Sequence, residues 1–484
     1  MSISSALSNA LSGLSANARS AEVISGNLAN ALTPGYASRD VALSARGAGF
    51  GGGVLVDGVT RREDTVLLTE RRLADSELAH SSVKADFQTR IAELVGTPDR
   101  PGSLARHYTA FSSDLVRAAA KPEEDTRLRA AVASAGDLAR AITDLSSRVQ
   151  ASRTDAETRI ARDVTKTNEL LSEAHDLNKR IVLAKNTGHE TAAFEDQRRV
   201  VIDQLADLVP VRLARRDNGA VAIYTRGGAT LLDGRPAELT FNSVNLVTAD
   251  MSLENGLLNG LEINGKPVAP SGGHSPVAGG RLAARFELRD RLATDIQAQL
   301  DGIARDLVER FQAAGVDATR APGSAGLFTD DGAPFDATNE TGLAGRLRVN
   351  GAVDPDTGGD YRRLRDGLGA TAPGPTGDGT LLNQLSDALN QGLPLASGVL
   401  GSTPRSAVEH ASAFTSRIGQ QRLSLDQQVS FAQARQSTLV ETELGLGVDS
   451  DSEMQKLLLV EQAYNANARM ITTVNEMIDT LLRI

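Results

Sequence analysis

Residues 25–36, SGNLANALTPGY, close the first amphipathic segment of the chain. In and before this stretch, apolar residues recur at alternating steps of four and three, which is the spacing of a coiled-coil seam. The seam positions are Leu7, Leu11, Leu14, Ala18, Ala21, Leu28 and Leu32, with Ser25 as the one polar interruption. The spacing predicts a helix that begins near Ser4 or Ser5 and ends at Pro34, because proline disfavours helical geometry in the residue before it.

The last thirty residues carry a second seam of the same kind. Its positions are Leu457, Val460, Tyr464, Ile471, Val474, Ile478 and Leu481, with Asn467 as the polar one. A neighbouring row recurs every seven residues and consists of Ala463, Met470, Met477 and Ile484. We expect Ser450 and Glu453 to open this helix as a capping box. A single helical hairpin could cover only part of apolar faces this wide, so the two ends are predicted to pack on each other and on neighbouring copies. A purely intramolecular hairpin is the alternative.

Composition limits the classes of function. A chain of 484 residues suits about three domains, and 3% aromatic residues with no tryptophan favour helices packed through Leu, Val, Ile and Ala. A formal charge of -10 without a basic cluster argues against nucleic-acid binding. The absence of cysteine excludes disulfides and thiolate metal sites, and no apolar stretch reaches the length of a membrane span. Residues 1–18 carry no charge, so they lack the basic region of a cleaved secretory signal.

The interior of the chain alternates long helical patterns with short strands. Helices are predicted at 64–94, 104–120, 122–186, 194–208, 282–311 and 407–440, and hairpin turns at 217–219 and 264–265. The helix after Pro122 has about sixty residues, which is beyond the usual globular range and predicts a rod-like bundle.

The predicted fold is α+β and mainly α, with a terminal coiled coil and a long-helix bundle that carries inserted small β domains. The predicted divisions are a terminal coiled-coil assembly domain at 1–33 and 451–484, connectors at 34–63 and 441–450, a helical bundle at 64–208, 281–315 and 405–440, a β-rich inserted domain at 209–280, and an outer insertion of Gly- and Pro-rich loops and strands at 316–404. Helices thus lie at the outside of the sequence and strands at its inside, as expected of a protein that grows outward from a terminal stem.

Three short motifs imitate known sites but lack a required feature. Residues 47–52 have GxGxxG spacing, yet a strand follows where a helix is needed to bind a dinucleotide. Residues 260–266 have Walker A spacing, but Pro267 replaces the magnesium-binding Ser or Thr, which indicates a hairpin turn. Residues 354–365 resemble a calcium loop that ends in Arg in place of Glu, so we expect a solvated turn.

No pattern of a catalytic site is present either. The six histidines include no pair at metal-ligand spacing, and neither a Gly-x-Ser-x-Gly elbow nor an HExxH motif occurs. We therefore predict no catalytic residue, no cofactor and no metal site.

The two ends also resemble a known family. Asn27, Leu28, Ala29 and Asn30, followed by residues 33–36, resemble the signature of flagellar rod, hook and hook-associated subunits, and residues 453–454, 462–469 and 476–482 resemble its C-terminal partner. The resemblance implies a structural subunit of the bacterial flagellum that is exported by the flagellar type III apparatus without cleavage and works outside the cell. It also implies that the terminal coiled coil lines an inner tube.

The interior favours one position within that family. Hook subunits resemble stacks of β domains and rod subunits are generally shorter, whereas this chain has a long helical interior. The resemblance therefore implies a ring at the junction between hook and filament, with a hook or rod subunit as the alternative. The implied partners are further copies of the chain, the hook protein, hook-associated protein 3 and an export chaperone on the C-terminal helix.

The candidate assembly residues lie on the two seams and in the turn after the first helix. They are Leu7, Leu11, Leu14, Asn27, Leu28, Asn30, Pro34, Gly35, Tyr36, Leu457, Val460, Tyr464, Ile471, Val474, Ile478 and Leu481. For Asn27 and Asn30 two roles stay open, hydrogen bonds to the backbone of residues 33–36 or ordinary local capping. Tyr36 is expected to pack against Tyr464 or the partner helix.

Overall fold

The computed structural model describes residues 3–46, 52–270, 272, 275–398 and 401–483. The glycines at 47 and 49 and the last position of the methionine row, Ile484, lie outside the described residues. The helices are α1 Ile3–Ala29, α2 Thr65–Val95, α3 Leu104–Ala120, α4 Asp125–Asn186, α5 Ala192–Leu208, α6 Gly280–Glu287, α7 Ala293–Gln312, α8 Leu343–Arg346, α9 Arg363–Asp366, α10 Thr380–Asn390, α11 Ala407–Gly445 and α12 Ser450–Leu482. The strands are β1 Arg39–Ala45, β2 Val54–Arg61, β3 Val211–Arg215, β4 Val221–Thr225, β5 Thr230–Asp233, β6 Arg235–Pro236, β7 Leu239–Thr240, β8 Leu261–Ile263, β9 Lys266–Val268, β10 Phe328–Asp330 and β11 Leu347–Val349.

The first and last helices, α1 and α12, lie side by side and are called the stem, and the elements from α2 to α11 are called the body. The strands form small antiparallel sheets, in the orders β1-β2, β3-β4-β5-β6, β7-β8-β9 and β10-β11. The predicted class, mainly α with small β elements, is therefore confirmed.

Helix α4 organises the body, because its two halves belong to two separate hydrophobic cores. Its N-terminal half, from Leu128 to Ala156, packs with α2, α3, α7, α10 and the start of α11. Its C-terminal half, from Ile160 to Leu177, packs with α5, α6 and the strands β3, β4, β5, β7 and β8. The helix has 62 residues, so the prediction of one uninterrupted helix of about sixty residues is confirmed.

Both predicted hairpin turns are also confirmed. Asn218 and Gly219 join β3 to β4 with φ angles of 56° and 82°, and Asn264 and Gly265 join β8 to β9 with φ angles of 53° and 71°. Asn and Gly tolerate this left-handed backbone, which is why these dipeptides mark tight turns. The Walker-like stretch 260–266 is thus the β8–β9 hairpin, as predicted.

Residues 316–404 hold more helix than the sequence indicated. Helix α10 lies where the sequence indicates loops and strands. Its buried residues Leu382, Leu385 and Leu389 follow helical spacing, but the Gly- and Pro-rich residues before it hide the pattern. These leucines, with Phe328 and Leu347, join the same core as the N-terminal half of α4. The division of the chain into domains stays a prediction, and this segment shares a core with the helical bundle.

A π-helical turn, Leu288–Leu292, joins α6 to α7. The N–H of Ala293 bonds the carbonyl of Leu288, five residues back, which displaces the carbonyls of this turn from the normal helical ladder. Arg153 of α4 donates from Nε to the carbonyl oxygen of Arg289 at 2.9 Å. The long helix and the π turn are therefore joined by a side chain that is itself fully buried.

The guanidinium group of Arg289 is also buried, at the contact between α4 and the π turn. It bonds Oε2 of Glu157 at 2.6 Å and Oδ1 of Asp290 at 2.6 Å, and its carbon lies 5.0 Å from the ring centre of Phe286. The other oxygen of Glu157 accepts the N–H of Val244 at 2.9 Å. Burial by itself lowers the pKa of Arg289, but the hydrogen bonds and charges of Asp290 and Glu157 raise it above its ordinary value.

The carboxylate of Glu287 at the end of α6 faces the imidazole ring of His80 and two cationic side chains. His80 lies 3.1 Å away and Lys84 3.4 Å away, and Arg291 also pairs with it. The hydrogen bond from His80 lowers the pKa of Glu287 from 4.5 to about 2, and burial only partly opposes this. Because the folded pKa lies below the unfolded one, the stabilisation is complete above pH 4.5 and is lost as the pH falls towards 2.

Glu287→Gln is therefore expected to be less stable than the unsubstituted protein at pH 6, with the difference closing as the pH falls from 4.5 towards 2. Urea unfolding at pH 6 and pH 3 measures this difference. Asp137→Asn, which removes an exposed partner of Arg140, is the matched control and should change stability little at either pH. A difference for Glu287→Gln that stayed constant across this range would contradict the assignment.

Candidate assembly interface

The stem is an antiparallel pair of helices. Asn27 of α1 lies against Glu453 of α12, and Gly13, fourteen residues earlier on α1, lies against Asn467, fourteen residues later on α12. A Cβ atom at Gly13 would lie 2.8 Å from Nδ2 of Asn467. The two helices therefore approach closely through small residues of α1, and the predicted polar position Asn467 does lie in their contact.

The leucine row of α1 is not the row that the stem buries. The fully buried residues of α1 are Ala10, Ala16, Ile24 and Asn27. Of the predicted seam positions, Leu11, Leu28 and Leu32 are 53%, 38% and 98% exposed, Ala18 is also exposed, and Leu7, Leu14 and Ala21 are half-buried. The expectation that the four-three spacing marks the closest helix contact is wrong for α1, because alanine and glycine in a neighbouring row permit a closer approach than leucine does.

On α12 the predicted seam follows the contact more closely. Val474 is buried, and Leu457, Val460, Ile471 and Ile478 are half-buried. Tyr464 and Leu481 are 44% and 60% exposed. The second row stays in solvent, since Ala463 is exposed and Met470 and Met477 are each 52% exposed. Within one chain, α12 thus uses only part of its apolar face.

The predicted capping box at the start of α12 is wrong. The cap is Asp449, whose carboxylate accepts the N–H groups of Asp451 and Ser452. Glu453 turns away from the helix start and bonds Asn27 at 2.9 Å and Lys456 at 2.7 Å. Aspartate is as good a cap as serine, so the cap forms one residue earlier and leaves Glu453 available for the contact with α1.

Asn27 connects the two ends of the chain. Its Oδ1 accepts the backbone N–H of Arg39 at 3.0 Å and the hydroxyl of Tyr36 at 2.8 Å. Its Nδ2 donates to the carbonyl oxygen of Arg39 at 2.8 Å and to Oε2 of Glu453 at 2.9 Å. Two donated and two accepted bonds satisfy the whole hydrogen-bonding capacity of this buried amide. We call Asn27, Tyr36, Arg39 and Glu453 the joint.

The joint also contacts the body. Arg39 pairs with Asp196 of α5 at 2.7 Å, and Arg61 of β2 pairs with the same carboxylate at 2.8 Å. Gly35, with a φ of 79°, lies so close to Val200 of α5 that a Cβ atom would clash with it. The turn after α1 therefore rests directly on α5, which explains why glycine occupies this position.

Asn30 has a local role in this turn. Asn30 donates to the carbonyl of Gly26 and accepts the hydroxyl of Thr33, so its observed contacts are those of local capping. Helix α1 ends at Ala29, before the predicted end at Pro34, because residues 30–36 form successive turns.

The role of Asn27 differs from both roles that the sequence left open, since it bonds Arg39 and Glu453 and not the backbone of residues 33–36. Tyr36 bonds Asn27 through its hydroxyl and lies under the guanidinium group of Arg39, with 4.8 Å between that group and the ring centre. Burial raises the pKa of Tyr36, Arg39 opposes this, and Asp196 and Glu453 add to it, so the hydroxyl keeps its proton.

The described part of the chain lacks the features of two other kinds of site. Among those residues, no group of three or more His, Asp or Glu side chains is placed to hold a metal ion. None of the described helices combines the length and apolar character needed to cross a bilayer.

Comparisons with known proteins assign the chain to a family. Three family models match it: the helical domain of the flagellar hook-associated protein FlgK at residues 89–328, the C-terminal region of the flagellar basal body rod FlgEFG proteins at 445–484, and the flagella basal body rod protein at 7–36. The flagellar hook-associated protein 1 of Bacillus subtilis is 22% identical over 98% of this chain and 97% of its own. The protein of that name from Escherichia coli is 24% identical over the whole of both chains.

A solved structure is also similar. The flagellar hook junction protein FlgK from Burkholderia pseudomallei aligns with 55% of this chain and 46% of its own, with 19% identity and a TM-score of 0.42.

A stem built from both ends of the chain, matched at both ends by flagellar models, defines a structural subunit of the bacterial flagellum. With the helical interior and the full-length relatives, the chain belongs to the flagellar hook-associated protein 1 family. Its family is one of structural proteins that assemble with other flagellar components.

Proposed function

We propose that this chain forms the ring at the junction between the flagellar hook and the filament, and that it assembles through its stem after export. The observation that carries the proposal is the exposed apolar surface of the stem. Leu459, Met470 and Met477 on α12, together with Leu11 on α1 and Leu32 in the turn after it, are between 52% and 98% exposed. Burying such side chains against neighbouring molecules contributes roughly 1.5–3 kcal/mol for each one that becomes fully buried.

In such a ring, each copy would contact other copies at its sides and different flagellar proteins at its two ends. Copies of the chain would cover one another's stems, the hook protein would lie below, and hook-associated protein 3 would lie above. A ring with a rigid helical body between them would buffer the mechanical mismatch of hook and filament. Before export, we expect a chaperone to cover the exposed row of α12, because large apolar surfaces left in water promote association.

The proposal is tested in a strain that lacks this chain. We expect hooks of normal length, no filaments, and filament protein released into the medium as monomer. Electron microscopy of detached hooks and immunoblots of the medium measure both effects, and expression of the intact chain should reverse them.

The alternative, a hook or rod subunit, predicts a different result in the same strain. Hooks would then be missing altogether, because the structures that precede the filament could not be completed. The long helical body favours the junction, since hook subunits are expected to carry stacked β domains, and normal hooks on the deleted strain would discriminate between the two assignments.

A further inference from the structure

The buried amide of Asn27 has a fixed orientation. The backbone N–H of Arg39 needs an acceptor and its carbonyl needs a donor, and Asn27 supplies Oδ1 to the first at 3.0 Å and Nδ2 to the second at 2.8 Å. Exchanging the amide oxygen and nitrogen would break both bonds. Nδ2 therefore always presents its second hydrogen towards α12, where Oε2 of Glu453 accepts it at 2.9 Å.

Glu453 is equally constrained. Its side chain is 4% exposed, and its two oxygens bond Asn27 and Lys456. If α12 moved away from α1, Asn27 would keep a buried N–H without a partner, and such a loss costs about 1–3 kcal/mol. The contact is thus favourable only when the C-terminal helix lies in one register on α1, as with single buried asparagines in coiled coils.

The other side of the joint holds the body. Tyr36 and Arg39 are both bonded to Asn27, Arg39 is also bonded to Asp196 of α5, and Arg39 lies over the ring of Tyr36. A continuous set of hydrogen bonds and one ion pair therefore runs from α12 through Asn27 to α5. Its members touch one another directly, so a displacement of Glu453 changes the surroundings of Asn27, which bonds both Tyr36 and Arg39.

We propose that Asn27 and Glu453 are positioning residues that couple the docking of the C-terminal helix to the orientation of the stem on the body. When α12 lies on α1, the joint is complete and the stem has one angle to the body. When α12 is unfolded or covered by another protein, the joint loses its contact with Glu453 and the stem moves relative to the body. The proposal concerns the isolated chain and does not depend on the junction assignment.

The test uses spin labels, for which a chain without cysteine needs no background substitutions. Labels at Ser172→Cys on α4 and Gln462→Cys on α12, both exposed positions, report the distance between body and stem by pulsed electron paramagnetic resonance. We expect one narrow distance peak in the otherwise unchanged chain. Glu453→Ala should replace it with a broad distribution, and Asn27→Asp should do the same because aspartate cannot donate to Glu453 or to the carbonyl of Arg39.

Two further variants separate positioning from folding. Glu453→Gln keeps an oxygen that accepts the hydrogen of Asn27, so this variant should show the same narrow peak as the unsubstituted chain. Asp449→Ala weakens the cap of α12 without touching the joint, and it should keep the narrow peak too. Circular dichroism verifies that each variant retains its helices.

A narrow, unshifted peak in Glu453→Ala would overturn the proposal, and so would a Glu453→Gln variant as broad as Glu453→Ala. Neither result would bear on whether the chain forms the hook–filament junction, which the deleted strain tests separately.

Discussion

Arg289→Ala is expected to destabilise the body by about 3–5 kcal/mol, the cost of breaking a buried ion pair by removing one partner. The side chains of Arg289 and Glu157 are both 0% exposed. Without the guanidinium group, Glu157 would keep only the N–H of Val244 as a partner among the contacts described above, and Asp290 would also lose its cation. The cavity left against Phe286 adds to the loss.

The measurement is urea unfolding followed by circular dichroism. Arg140→Ala is the matched control, because it also removes a guanidinium group, but from an exposed pair with Asp137 on α4. Such exposed pairs contribute about 0–1 kcal/mol. An Arg289→Ala variant that unfolded at the same urea concentration as Arg140→Ala would show that the buried pair of Arg289 and Glu157 does not stabilise the body.

The sequence predicted those parts of the fold that local patterns determine. The 62-residue helix α4 could be predicted because its apolar positions repeat without a break between Pro122 and Asn186. The turns at Asn218 and Asn264 could be predicted because few residues adopt a positive φ. In each case the sequence signal and the structure it determines lie within a few residues of each other.

Contacts between distant residues could not be predicted in this way. Asn27 and Glu453 are 426 positions apart, and nothing near either residue indicates that they meet. Both belong to the terminal signatures, so a comparison of the two signatures was the available clue to a contact between them. The choice of the Ala10 row over the Leu11 row likewise depends on how closely two whole helices approach, which heptad spacing alone does not determine.

Removing residues 451–484 is expected to abolish assembly completely while leaving the body folded. The two hydrophobic cores, as far as the chain is described, contain no residue of α1 or α12, so the truncation removes no core side chain. Helix α1 loses the neighbour whose Glu453 bonds Asn27, and it is expected to become mobile. Chaperone binding should be lost as well, because the exposed row of α12 is gone.

Three measurements follow this prediction: urea unfolding for the body, pull-down with the purified export chaperone, and swimming of a strain that carries the truncated chain as its only copy. Met470→Ser combined with Met477→Ser is the more selective variant, since both side chains are half exposed and the buried Val474 contact stays intact. It should reduce chaperone binding and swimming without changing the unfolding of the chain, and Gln462→Ser, an exposed polar position on the same helix, should change none of the three. Normal swimming with the truncated chain would contradict assembly through the stem. Unaltered swimming with the double serine variant would exclude the methionine row as the surface that neighbouring molecules cover. The leucine row of α1 would then remain as that surface.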